Sequence, residues 1–427
     1  MTDKLKIIRD RIDAFDDRIL ELLNERARLA QEIGGTKRGA VKYRPEREAQ
    51  VLRRLAAANK GPLPAAAVAR LYTEIMSACR ALEDGISVAY LGPQGTFSEE
   101  AALRQFGAQA SLAPCASIDE VFRQVESGQC GYGVVPVENT TEGSIGRTHD
   151  LLLATPLKIC GEVLLPVHQC MMSKSGKASA VKKIFSHSQS LAQCHEWLNQ
   201  RFPSAKRTPV VSNAEAARMA AKDASAAAIA SKAAAAVYKL KLIAANIEDE
   251  PLNTTRFVVI AAHDAGPSGR DKTSLVLSTR NVPGAIHALL TPLAKHGVSM
   301  TRLESRPART ARWEYVFYVD IDGHQQDENV AQALEEVEDG VARLELEGLA
   351  LGHEETLPPG VAVRSLGDAN QRDIGDPELG EDFLGHAELA LAAIDQHQVG
   401  PGLGGAAGVL AQRPAEAPGQ HLAQHGV

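Results

Sequence analysis

From Leu5 to Ile33 no proline or glycine interrupts the chain, and Leu5, Ile8, Ile12, Phe15, Ile19, Leu22 and Ile33 recur at helical steps. This spacing lays one apolar stripe along a helix roughly 45 Å long, at about 1.5 Å per residue. A lone helix of that length leaves much of its stripe in water. The pattern therefore calls for a partner, and an intertwined dimer is the natural way to cover it. Pro45 and Glu46 open a second helix that runs to Ala58, Gly61-Pro62-Leu63-Pro64 breaks the chain, and a third helix covers 65–83. Residues 1–85 read as an all-helical domain.

At Ile86 the period changes. Short apolar runs (ISVAYL, GYGVVPV, KKIFS, AAIA, RFVVIAA) alternate with helical stretches, the signature of an α/β domain over 86–265. Gly266-Pro267-Ser268-Gly269-Arg270 reads as a linker. Over 272–345, TSLVLST, a helix from Pro283 to Lys295, SMTRLESR, WEYVFYVDI and a helix from Asn329 make a small α+β sandwich that lacks its last strand. From about residue 339 onward there is no Lys, Cys, Trp or Tyr. Residues 346–427 read as a disordered, low-complexity tail, the kind of break a frameshift in the coding sequence produces.

Charge is uneven along the chain. Residues 1–84 carry 17 Lys+Arg against 13 Asp+Glu (net +4), whereas 338–427 carry 4 against 15 (net −11). The N-terminal bases are interleaved with acids and lack aromatic neighbours, which suits discrete anion pockets rather than nucleic acid. No apolar run of about 18 residues appears, so no membrane helix is expected. Six scattered cysteines without CxxC spacing argue for reduced thiols in a cytoplasmic protein, with no metal or disulfide framework.

Position arithmetic singles out several charges on the first helix. Arg26 and Lys37 are 11 residues apart, within about 20° of one face. Arg9 lies 17 residues from Arg26, about 25 Å along the axis. It cannot share a small ligand with Arg26 of its own chain, but it can reach a partner's site in an antiparallel dimer. In the α/β region, four polar clusters stand where strands meet helices: GPQGTFS (92–98), PVENTTEG (136–143), SHSQ with Gln193 (186–193), and NTTR (253–256). Ser98 is a suitable N-cap. Four such strand ends imply a crevice at the carboxyl ends of the strands.

IIRDRIDAFDDRILELLNERARLAQEIGGTK and YRPEREAQVLRRL resemble the all-helical chorismate mutase family. The resemblance implies a site lined by Arg9 of one subunit with Arg26, Lys37, Arg47, Glu48, Cys79 and Glu83 of the other. The Claisen rearrangement of chorismate to prephenate is pericyclic and needs only a held conformer and charge stabilisation on the breaking ether oxygen. Arginines suit the two carboxylates, and Lys37 suits the ether oxygen. Cys79 departs from the family's usual serine and is a weaker hydrogen bonder.

GPQGTFS, VVPVENTTEGS, FSHSQSLAQC and NTTRF, in that order, resemble prephenate dehydratase. The resemblance implies a two-lobed fold like type 2 periplasmic binding proteins, with the substrate between the lobes. It points to Thr255 as the catalytic hydroxyl and Arg256 as a carboxylate ligand, both facing the cleft, with Thr96, Ser98, Glu138, Asn139, Ser186 and Gln193 lining it. His187 is the rival acid, and the alternation of side chains at a strand end favours a structural role for it. Residues 272–338 resemble an ACT domain, a ferredoxin-like regulatory module. Gly284 and Ala285, with Glu304, Ser305 and Arg306, would then mark a phenylalanine site at a domain interface, Arg306 being equally suited to bracing its loop. The resemblance implies a bifunctional, phenylalanine-inhibited enzyme of phenylalanine biosynthesis that needs no cofactor or metal and works as a homodimer or higher homo-oligomer. Two other readings stay open: a dehydratase with an impaired mutase, resting on Cys79, and a non-catalytic amino-acid-binding regulator.

Overall fold

The computed structural model describes residues 2–36, 43–83, 85–278, 283–308, 315–350 and 361–366. The chain opens with three helices, α1 (Thr2–Thr36), α2 (Pro45–Ala58) and α3 (Ala65–Ala81). Pro45 begins α2, where its missing N–H costs nothing. α2 and α3 bury Leu52, Ala69 and Met76 between them. Among the described residues the N-terminal half of the α1 stripe finds no such cover: Ile12, Phe15 and Ile19 are 52%, 53% and 53% exposed.

The middle of the chain forms two lobes. The first contains β1 (Ser87–Leu91), α4 (Phe97–Phe106), β2 (Ser111–Cys115), α5 (Ile118–Glu126), β3 (Tyr132–Asn139), β4 (Gly143–Ser144), α6 (Gly146–Ala154) and β5 (Lys158–Pro166). The second contains β6 (Cys170–Ser173), β7 (Lys183–Ser186), α7 (Ser188–Gln193), α8 (His195–Arg201), β8 (Lys206–Pro209), α9 (Asn213–Ala220), β9 (Ala226–Ala230), α10 (Lys232–Val237) and β10 (Lys241–Ala244). β11 (Thr254–Ala261) then returns to the first lobe and inserts antiparallel between β3 and β5. The sheet orders are β2-β1-β3-β11-β5 and β10-β6-β9-β7-β8. The chain thus crosses between lobes twice, and the two crossings are bonded side by side: Val167 N donates to Asn253 O (2.8 Å) and Ile247 N to Gln169 O (3.0 Å). These two paired segments connect the lobes, and Val167 and Gln169 of the first crossing also line the space between them.

The last module contains β12 (Lys272–Ser278), α11 (Ala285–Lys295), β13 (Met300–Pro307), β14 (Tyr315–Asp322), α12 (Glu328–Ala350) and β15 (Val361–Leu366). Its sheet, in the order β13-β14-β12-β15, is antiparallel throughout. Pro307 ends an edge strand, where a missing N–H is tolerated. The structure corrects one expectation: the sheet does not lack its last strand. The run Val361-Ala362-Val363 lies in the region read as tail, yet it pairs with β12 over Lys272–Leu277. β-branched valines two apart suit a pleated strand, and the skewed composition around them hid this. α12 likewise runs past residue 345 to Ala350. The remainder of the expected tail lies outside the described residues. All six cysteines are buried free thiols, and among the described residues no helix is long and apolar enough to cross a membrane.

Candidate functional site

The crevice between the lobes encloses about 750 Å³ including its mouth, and Thr96, Ser98, Asn139, Gln193 and Thr255 all line it. Thr96, Ser98, Asn139 and Thr255 stand at a strand end or a helix start, and Gln193 is the last residue of α7. Thr96, not Ser98, is the N-cap of α4: its side chain accepts from Glu99 N, while the Glu99 carboxylate accepts from Gly95 N (2.6 Å). The helix starts two residues earlier than the Ser98 cap requires, which leaves Ser98 free to turn its hydroxyl to the wall. Ser186 is fully buried behind the wall, its one hydroxyl hydrogen shared between Asn213 Oδ1 and Ile229 O (both 2.8 Å). His187 does line the crevice.

Thr255 and Asn139 are register partners on β11 and β3. Asn139 Oδ1 accepts from the backbone N–H groups of Thr141 (3.1 Å) and Glu142 (3.2 Å) and from Thr141 Oγ1 (2.6 Å). Two backbone donors allow only one orientation of the amide. Asn139 Nδ2 must then donate, and it does so to Asn253 Oδ1 (2.8 Å) and Thr255 Oγ1 (2.9 Å). Thr255 Oγ1 is an acceptor in that bond, so its own hydrogen stays available to the crevice. Ser190 is held the same way. Its Oγ accepts from Gln169 Nε2 (3.1 Å) and Asn213 Nδ2 (2.8 Å). Asn213 is in turn fixed by His187 N donating to its Oδ1 (3.0 Å).

Glu138 and Arg256 do not share the crevice. They are the next register pair along the same two strands, and successive strand residues point to opposite faces. Arg256 instead turns toward β14, bonding Glu162 and Asp320, with Glu138 at 3.9 Å. The expectation that Thr255 and Arg256 face one way ignored this alternation. Gln169, Ser190, Ser212 and Asn213 line the crevice but were not singled out in the sequence. Ser212-Asn213 is a fifth polar junction after a strand, with Ser212 capping α9, and was legible by the same rule. Gln169 sits in a crossing segment with no local signal.

In the helical module, Arg26 donates to Cys79 Sγ (2.9 Å). Glu83 packs so closely over Gly34 that a Cβ there would stand 2.9 Å from its carboxylate. Glu48 Oε1 pairs with Arg80, which was not anticipated; Glu48 Oε2 is buried without a hydrogen-bond partner among the described residues. Arg80 also donates to Phe106 O (2.6 Å) and lies over the Tyr43 ring, tying the helices to the first lobe. Arg47 and Arg9 are exposed, with Arg9 on the uncovered half of α1. Lys37 lies outside the described residues.

Family models match along the whole described order: chorismate mutase type II over residues 8–84, prephenate dehydratase over 88–265 and ACT domain over 273–339. A bifunctional chorismate mutase/prephenate dehydratase of Neisseria gonorrhoeae is 52% identical over 330 residues, 77% of this chain and 91% of that protein. The one from Aquifex aeolicus is 43% identical over 81% of this chain and 97% of its own length. The chain belongs to the bifunctional chorismate mutase/prephenate dehydratase family. Among solved structures, the prephenate dehydratase of Arthrobacter aurescens in complex with L-Phe superposes with a TM-score of 0.58 at 30% identity, covering 73% of this chain and all (100%) of that one. The Staphylococcus aureus prephenate dehydratase shares the fold with a TM-score of 0.55 at 24% identity, over 66% of this chain and 100% of its own.

Within this family frame, the ACT module docks on the dehydratase lobe through charge. Arg302 bonds Glu138 (3.2 Å), Glu304, Ser144 (2.5 Å) and His149 Nε2 (3.1 Å). Arg306 braces against Asp150 (3.3 Å) and Glu304 (3.5 Å). Ser305 alternates to the exposed face, away from both neighbours. Gly284 adopts φ +82° at the start of α11, a left-handed conformation that favours glycine, and Ala285 beside it is buried. Burial works against both charges of the Arg256–Asp320 pair. Their mutual attraction, joined by Glu162 and Ser274, outweighs it, holding Arg256 above and Asp320 below its ordinary pKa.

Proposed function

We propose that this chain converts chorismate to prephenate in the helical module and prephenate to phenylpyruvate in the crevice, with phenylalanine as the effector of the ACT module. The observation that carries the dehydratase reading is the Asn139–Thr255 pair. Its fixed amide leaves the Thr255 hydroxyl as a donor with an uncommitted hydrogen. In the reaction, the bond to the ring carboxylate breaks and releases CO2. Its electron pair moves into the ring, and the C–O bond breaks with its pair leaving on oxygen, which takes up a proton and departs as water. Thr255 donates to that oxygen as charge builds on it. Ser190 supplies a second uncommitted hydroxyl hydrogen for a substrate carboxylate, and Thr96, Ser98 and Gln193 position the dianion.

For the mutase, Arg26 and the partner-facing Arg9 bind the two carboxylates, Lys37 the ether oxygen, and the unpartnered Glu48 Oε2 the ring hydroxyl. Arg47, Cys79 and Glu83 support that set. Arg9 acts in trans, and the exposed stripe of α1 supports a homodimer in which a second α1 covers it. The protein is read as cytoplasmic. In the ACT module, Gly284, Ala285 and Ser305 are proposed to contact phenylalanine, while Glu304 and Arg306 link that site to the dehydratase lobe.

The test is incubation with chorismate, following its loss and the appearance of phenylpyruvate. Thr255→Ala is expected to lower phenylpyruvate formation about 10²–10⁴-fold, the usual size of a lost proton donor, while prephenate accumulates. If both activities fall together, the two-site assignment is wrong.

A further inference from the structure

The hydrogen-bond chain that orients Asn139 does not stop there. Thr141 gives its hydroxyl hydrogen to Asn139 Oδ1 (2.6 Å), so its oxygen must accept the next bond, from Gln193 Nε2 (3.1 Å). Gln193 therefore turns its Oε1 to Gln169, whose Nε2 donates to it (3.1 Å) and to Ser190 Oγ (3.1 Å). The orientation set by two backbone N–H groups at Thr141 and Glu142 thus passes across the crevice and fixes the last amide in the row. It leaves Gln169 Oε1 as a buried acceptor that no donor among the described residues reaches, on a side chain that lines the crevice and is 1% exposed. Leaving a buried acceptor unmet is destabilising, and the hinge carries that cost on the wall of the site.

We infer that Gln169 is a further substrate-contacting residue, whose Oε1 accepts the hydrogen of the hydroxyl that is to leave. This rests on the dehydratase reading of the crevice. At neutral pH prephenate offers two carboxylates, a ketone and one hydroxyl. The hydroxyl is its only donor, so a bare acceptor can serve no other group and repels the carboxylates. Thr255 and Gln169 then hold the hydroxyl from both sides: Gln169 takes its hydrogen, which turns an oxygen lone pair toward the Thr255 donor. The contact sets which end of the substrate enters and holds the oxygen as the C–O bond breaks.

The test uses the full chain carrying Thr255→Ala, in which bound prephenate survives. Its Kd by calorimetry is compared with that of the analogue whose ring hydroxyl is replaced by hydrogen. The preference for prephenate is expected to be about tenfold or more, the scale of a buried acceptor left unmet. Adding Gln169→Met is expected to bring it to about one, with affinity for the deoxy analogue and mutase activity retained. Thr141→Val, which releases both glutamine amides from outside the crevice wall, is expected to reduce the preference several-fold. An unchanged preference in both variants overturns the role of Gln169 and leaves the dehydratase reading standing. Absence of phenylpyruvate formation by the unsubstituted enzyme overturns both.

Discussion

A threonine hydroxyl is a weak acid, so the identity of Thr255 explains little by itself. What matters is the direction of the bond it receives. Asn139 Nδ2 donates to it, which leaves one hydrogen and one direction for the substrate. Asn139→Asp is a stringent probe, because a carboxylate can only accept. Thr255 would turn its hydrogen onto the new carboxylate, while Thr141 and Glu142 would keep their acceptor and Asn253 could offer its unpartnered Nδ2. The fold is thus preserved and the donor consumed. Dehydratase kcat is expected to fall about 10²–10³-fold with mutase kcat unchanged, as measured by steady-state assay of each product. A fall in kcat under about threefold would remove the donor role from Thr255.

At the scale of elements, β3 and β11 run side by side with two adjacent register pairs doing opposite jobs. Asn139–Thr255 faces the crevice, and Glu138–Arg256 faces the ACT sheet. Arg256 neutralises Glu162, whose side chain is 1% exposed, and Asp320, at 7%. Arg256→Met would leave both acids buried beside less positive charge. Stability is expected to fall by about 3–5 kcal/mol, read as a lower urea midpoint, with a loosened ACT contact. His149 adds a pH dependence to the same interface. Arg302 donates to its Nε2, so Nδ1 carries the hydrogen and bonds Ile145 O (3.1 Å). Burial, then the Arg302 charge, hold its pKa below the usual histidine value, with Arg306 adding to the effect and Glu304 opposing it. The neutral ring therefore stabilises the fold fully above about pH 6.5, the unfolded value. As pH falls through that value toward the lower folded one, the unfolded chain takes up the proton first and stability is lost. Unfolding midpoints measured from pH 8 to 5 should drop more steeply for the native protein than for His149→Gln. Parallel curves would exclude His149 as the source.

For the whole molecule, the uncovered stripe of α1 is the feature the single chain leaves most incomplete. Replacing Ile12 and Ile19 with glutamate is expected to yield monomeric helical modules and to reduce mutase activity at least about tenfold, since Arg9 would no longer reach a neighbour. Dehydratase turnover should persist. Light scattering with both assays decides it, and full mutase activity from a monomer would refute the trans arrangement. Helix periodicity, the change of period at Ile86 and the polar strand ends were all readable in one dimension, because a 3.6-residue or two-residue repeat is a local property. Thr255, Asn139, Thr96, Ser98 and Gln193 could be named for the crevice from their motifs alone. The sequence alone determined the three modules, their order and the chemistry of their polar junctions. Only the tertiary structure decided that Arg256 and Glu138 face the ACT sheet, that Val361–Leu366 pairs with β12 and that Gln169 lines the crevice. Each of these depends on which way a strand presents its side chains or on partners brought together from distant parts of the chain, and no local pattern carries that information.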